Sequence, residues 1–127
     1  MVLIRWTTAA VLALAALTAA AADIRDASYD AERDEIVVKI AYRGTNPDHD
    51  FTVQWGPCFE TGGPPAGVVG RLVDQQGEDI AREEFRVTER IGLGGLACRP
   101  AVVTLRLGKV SHMRVYVPAA PNPKALQ

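Results

Sequence analysis

Residues 101–117 read Ala101-Val102-Val103-Thr104-Leu105-Arg106-Leu107-Gly108-Lys109-Val110-Ser111-His112-Met113-Arg114-Val115-Tyr116-Val117. Val103, Leu105 and Leu107 alternate, as do Met113, Val115 and Val117, which is the period-two pattern of strands with one buried face. Both faces have to match across the turn between them. A two-residue Gly108-Lys109 turn would set Leu105 opposite His112 and Val103 opposite Arg114, mixing core with solvent. A three-residue Gly108-Lys109-Val110 connection sets Leu105 opposite Met113 and Val103 opposite Val115, so the pattern predicts the longer loop. The same register turns Arg106, His112 and Arg114 to one outer face, with Thr104 and Tyr116 nearby.

Further strands precede this hairpin. Ile36, Val38, Ile40 and Tyr42 alternate within Glu35 to Arg43, and Ile24 to Tyr29 pairs before them through the polar turn Asp30 to Asp34. Gly44-Thr45-Asn46-Pro47-Asp48 is dense turn chemistry, followed by Phe51, Val53 and Trp55 on one parity. Residues 56–67 hold seven Gly or Pro, too many breakers for a regular element, and predict a long exposed loop. Val68 to Asp74 is another strand, closed by Gln75-Gln76-Gly77-Glu78. Residues 79–88 contain helix formers, yet Ala81, Glu83, Phe85 and Val87 share a parity while the helical grouping of Ile80, Ala81 and Phe85 is thin. A strand is predicted there, with Ile91 and Leu93 continuing towards Gly94-Gly95. About seven short strands with turn signals between them predict an all-β, single-domain, antiparallel two-sheet sandwich over residues 23–117, with a flexible tail over 118–127.

The chain has 127 residues, and Lys and Arg total 14 against 15 Asp and Glu. Met1 to Arg5 carries one positive charge, Trp6 to Ala22 carries none, and Ala20-Ala21-Ala22 offers the small side chains a signal peptidase accepts. Residues 1–22 therefore read as a secretory leader. A retained anchor is the rival, but the 17-residue uncharged run is mostly Ala, which gains little in hydrocarbon. Without Arg5 the charges stand at 13 against 15, a near-neutral balance that excludes a nucleic-acid footprint. The expected compartment is the periplasm or the cell exterior, with no membrane span after cleavage.

Cys58 and Cys98 are the two cysteines, both beyond the leader. An even count in an oxidising compartment predicts a disulfide; with no Cys-x-x-Cys spacing, a redox or metal-binding thiol pair is disfavoured. Asp48-His49-Asp50 is the densest polar cluster, and a His between carboxylates is a candidate metal ligand set. Adjacent residues of an extended segment point apart, so the competing expectation is a polar strand entry with His49 bonded to nearby backbone. His112-Met113 resembles a copper pair in composition, but the hairpin register sends Met113 inward and His112 outward. Two serines beyond the leader and two histidines, with no Gly-x-Ser-x-Gly elbow, no phosphate loop and no dinucleotide fingerprint, predict no catalysis and no cofactor.

Ile36 to Tyr42 followed by Gly44, His49-Asp50-Phe51, Pro64-Pro65 and Leu72-Val73-Asp74 resembles small exported bacterial proteins of unassigned role. The likeness spans Asp23 to Val117. It implies export and an immunoglobulin-like sandwich, and it brings no activity. Such proteins often carry a Cys shortly before the His, whereas here position 46 is Asn and the Cys lies at 58, so their disulfide topology does not carry over.

These residues predict a non-catalytic binding or structural module whose partner is another protein or an envelope component. The candidate contact residues are Phe59 and Glu60 in the tethered loop and Arg106, His112 and Arg114 on the sheet face. A metal-binding protein using His49 with Asp48 or Asp50 is the alternative, and a protease-inhibitor-like module presenting residues 56–67 is a third. Phe59 either caps the sandwich edge over Trp55 or stands at the surface as an anchor. Intact-mass and N-terminal analysis of the exported protein is expected to find a chain beginning at Asp23 with both thiols oxidised. A retained Met1 or two free thiols would contradict it.

Overall fold

The computed structural model describes residues 22–76 and 83–121. Residues 1–21, 77–82 and 122–127 lie outside the described residues, and with them nearly all of the expected leader, the start of the strand expected over 79–88 and the end of the expected tail. Seven strands form two sheets: β1 (Asp23–Asp30), β2 (Glu35–Gly44) and β5 (Glu83–Gly92) in the order β1-β2-β5, and β3 (Phe51–Trp55), β4 (Ala66–Asp74), β6 (Ala101–Leu107) and β7 (Ser111–Val117) in the order β3-β4-β6-β7. Among the described residues there is no helix.

The hairpin β6–β7 has the predicted three-residue connection, pairing Leu105 with Met113 and Val103 with Val115. Gly108 opens that turn at φ 65°, a left-handed conformation that favours glycine. Residues 83–88 are strand, in agreement with their parity, and β5 lies against β2 with Phe85 opposite Tyr42 and Ile91 opposite Ile36.

Two expectations are corrected. The sandwich is not wholly antiparallel, because β4 and β6 pair in parallel, Val68 beside Val103 and Leu72 beside Leu107. Between them the chain spends one strand, β5, in the other sheet. That single reversal returns it to the end where β4 began, so β6 must run in β4's direction. The predicted loop is also shorter than 56–67, since Ala66 and Gly67 already belong to β4.

The core lies between the sheets. Ile36, Val38 and Ile40 from one sheet meet Val68, Val103, Leu105 and Val117 from the other, all essentially removed from water. Polar ties close both sides. At one, Ser111 Oγ accepts the Ile24 N–H at 2.9 Å and donates to Asp23 at 3.0 Å. At the other, the Phe51 N–H donates to Glu89 Oε1 at 3.2 Å, which gives a carboxylate on the inward parity of an edge strand a partner.

One end of the sandwich is held by the segment between β5 and β6. Cys98 is bonded to Cys58. The next residue, Arg99, donates to both oxygens of Asp34 in the β1–β2 turn at 2.9 and 2.7 Å, and its Nε donates to the Pro118 carbonyl at 3.0 Å. Tyr29 donates to the same carboxylate at 2.5 Å. The Arg99 guanidinium and the Tyr29 hydroxyl hold the Asp34 carboxyl down at about 2, while that hydrogen bond to Asp34, with burial and the carboxylate's charge, pushes the Tyr29 phenol up.

A carboxylate held below its unfolded value stabilises the fold at neutral pH and loses that contribution as pH falls through the folded value. Asp34 is 31% exposed, so water screens the pair and the expected contribution is about 1–2 kcal/mol. Asn tolerates the left-handed backbone at this position, φ 53°. Asp34→Asn should therefore lower stability by that amount at pH 7 in denaturant titrations, with the gap to wild type closing between about pH 4 and pH 2. A gap independent of pH would refute the assignment.

Candidate functional site

The two outer faces of the sandwich differ in charge. On the β1-β2-β5 sheet the signs are interleaved: Asp26 pairs with Lys39, Arg43 with Glu84, and Arg90 bonds Asp30 at 3.1 Å. On the β3-β4-β6-β7 sheet, the residues opposite in parity to the core are Thr52 and Gln54 on β3, Gly67, Val69, Arg71 and Val73 on β4, Val102, Thr104 and Arg106 on β6, and His112, Arg114 and Tyr116 on β7. No carboxylate stands among these strand residues. Asp50 lies at the margin, one residue before β3, and Lys109 lies in the β6–β7 turn.

The register assembles this face into rows. Gln54, Arg71, Arg106 and His112 stand side by side across all four strands. At about 4.8 Å per strand the row is about 14 Å long. Two residues along the strands come Val69, Thr104 and Arg114, and two further come Gly67, Val102 and Tyr116. Arg71, Arg106 and Arg114 are exposed, and among the described residues none of them has an ion-pair partner. Like charges on neighbouring strands oppose pairing, so the cluster is not there to hold the sheet together.

Phe59 joins the same face. Its backbone bridges to Gly67 through two hydrogen bonds of 2.8 Å, and the ring edge occupies the space where a Cβ at Gly67 would stand. Trp55 is instead covered by Gly95, close enough that a Cβ there would lie 2.7 Å from the indole. Phe59 thus neither caps Trp55 nor projects freely. It rests against the outer face, 51% exposed, at the end of the sheet where Tyr116 is 56% exposed. Glu60 follows it, exposed, and also borders a cavity of about 290 Å³ lined by Pro64, Cys98, Arg99 and Pro100.

The other candidates resolve differently. His49 is buried, while its neighbours Asp48 and Asp50 are exposed, so the three do not converge, and no group of three or more metal-binding side chains occurs among the described residues. The His49 ring is stacked on Tyr42 at 4.5 Å, and its Nδ1 lies 2.6 Å from Asp74 Oδ2. His49 is thus not grouped with Asp48 and Asp50, and Asp74 is a partner that the sequence expectation did not name. This carboxylate lies 25 residues away at the end of β4, beyond the reach of local spacing. Met113 packs against the core and His112 is exposed, as the register requires.

Sequence reasoning brought Arg106, His112 and Arg114 together and missed Arg71 and Gln54. Arg71 carries a signal, since its parity is opposite to that of Val68 and Leu72, but joining it to Arg106 depends on the parallel β4–β6 pairing. Searches of protein-family models, curated proteins and solved structures each return no match to the chain.

The Phe59–Gly67 contact has a measurable signature. Phe59→Ala should cost about 1 kcal/mol, since roughly half of the side chain is already in water, against about 3 kcal/mol or more for a fully buried residue such as Leu105→Ala. Gly67→Ala should destabilise the wild type yet cost less in the Phe59→Ala background, because the ring it displaces is gone. Additive effects in this cycle would show that the ring does not rest on Gly67.

Proposed function

We propose that the chain is an exported, non-catalytic binding module of the bacterial envelope, an immunoglobulin-like sandwich that meets an anionic partner with the outer face of its four-stranded sheet. The observation that carries this reading is the row of Arg71 and Arg106 beside His112, extended by Arg114, on strand positions without a carboxylate. Folding alone gives no reason for such a cluster, whereas an anion recovers the cost of holding the cations together. Export rests on the leader pattern, and the Cys58–Cys98 disulfide suits an oxidising compartment. The immunoglobulin-like description rests on seven strands in packed sheets of three and four, with the parallel pair as its departure from the all-antiparallel arrangement.

Retention on immobilised heparin tests the location of the anion-binding surface. Arg71→Ala, Arg106→Ala and Arg114→Ala combined should elute at clearly lower salt than wild type. Lys39→Ala, Arg43→Ala and Arg86→Ala combined remove the same charge from the opposite sheet and should leave retention nearly unchanged. Equal losses in the two variants would reduce the effect to net charge and overturn the assignment of the face.

A further inference from the structure

We infer that the partner at this face is an acidic protein surface, with Phe59 and Tyr116 as aromatic anchors and Arg71, Arg106 and Arg114 as the carboxylate-binding groups. The inference rests on the reading of the face as an anion-binding surface and specifies the class of the occupant. The composition of the face points there. Its strand positions carry three Arg and a Tyr, a Phe lies across them, and Lys, Asp and Glu are missing from them. Protein interfaces are enriched in these aromatic residues and Arg, and depleted in Lys, Asp and Glu. The guanidinium fork binds carboxylates bidentately, and the aromatic area beside the arginines suits a protein surface, which offers apolar groups as well as charge, better than a bare polyanion.

The layout is that of an extended contact. From the Phe59/Gly67/Tyr116 row to the Arg71/Arg106 row is four residues along the strand, about 13 Å, and the Arg row runs across the sheet at right angles to that. One small anion cannot touch both ends, while a protein surface of ordinary interface size covers them together. The anchors are held before binding: the Phe59 ring sits on Gly67 next to the Cys58–Cys98 bridge, and Tyr116 is fixed on β7. Little ordering cost remains to be met on association. A second copy docking by the same face would set arginine against arginine, so the complement has to be acidic.

Photo-crosslinking in the full exported chain decides the class of partner. The probe is p-benzoyl-phenylalanine in place of Gln54, exposed at the edge of the face, with the same probe in place of Thr88 on the opposite sheet as control. The expected result is one discrete, protease-sensitive adduct from position 54 only, mapping to an acidic stretch of a different protein. The combined Arg71→Glu, Arg106→Glu and Arg114→Glu variant should reduce its yield at least about tenfold without moving the melting temperature. The adduct protein, once purified, should bind wild type at least about tenfold more tightly than Phe59→Ala combined with Tyr116→Ala. A protease-resistant carbohydrate adduct that is lost on charge reversal would overturn the protein partner and leave the anion-binding face standing. An adduct of twice the chain mass would replace it by self-assembly. No adduct, equal adducts from positions 54 and 88, or adducts indifferent to charge reversal would overturn both the partner and the face.

Discussion

The register of β6 between β4 and β7 is the constraint on which the rest of the molecule depends. Its inward residues Ala101, Val103 and Leu105 are fully buried, and its outward residues Val102, Thr104 and Arg106 lie between those of the flanking strands. Sliding either neighbour by one residue would turn a core side chain to water and an arginine into the core, a change of several kcal/mol per residue in an apolar interior. The apolar core and the cationic face are two consequences of one alignment. A substitution that protects the core pattern protects the spacing of Arg71, Arg106 and Arg114 as well.

Much of this alignment was legible in the sequence because period-two alternation is a local signal. The hairpin at 108–110 could be deduced, since only one loop length keeps Leu105 against Met113. The cysteine pair was legible for a different reason, that a chain with two cysteines has one possible intrachain bridge. Strand direction was not legible. Alternation looks the same in parallel and antiparallel neighbours, so the β4–β6 pairing, and with it the joining of Arg71 to Arg106, required the path of the whole chain. The contacts of His49 with Asp74 and of Arg99 with Asp34 were hidden for a related reason: each links residues whose sequence surroundings are ordinary turn chemistry, 25 and 65 positions apart. Phe59 was legible as a residue of interest but not in its pose, because the space it fills is the missing side chain of Gly67, which a sequence presents only as one glycine among several.

The end of the sandwich near Cys98 shows how covalent and ionic ties divide the work. Cys98 fixes the loop that leads into β4, and Arg99 fixes the turn between β1 and β2 and the exit of β7, so two consecutive residues reach both sheets. The disulfide closes a separation of 40 residues and acts on the unfolded chain, at about 4 kcal/mol in the chain-entropy account. The Arg99–Asp34 pair acts on the folded state and is weaker, being partly screened by water. Their proximity matters for the surface more than for the total. With Cys58 fixed, the very next residue, Phe59, pairs its backbone with Gly67, and this places its ring on the sheet face.

The contrast between the two outer faces is then the feature that stability explains least. A mixed-sign surface such as that of the β1-β2-β5 sheet gains small attractions between neighbours and is what solubility asks for. The opposite sheet gives up those attractions and places guanidinium groups on adjacent strands, with aromatic area left in water beside them. Each choice is mildly unfavourable in the isolated protein, and both reverse sign against an acidic, partly apolar surface. Water screens exposed charges over about 8–10 Å, so the repulsion within the free face is small enough for the fold to tolerate. Once a partner excludes that water, the same groups interact far more strongly. A sheet that is slightly frustrated alone and satisfied when covered is the physical basis of the binding role proposed for this face.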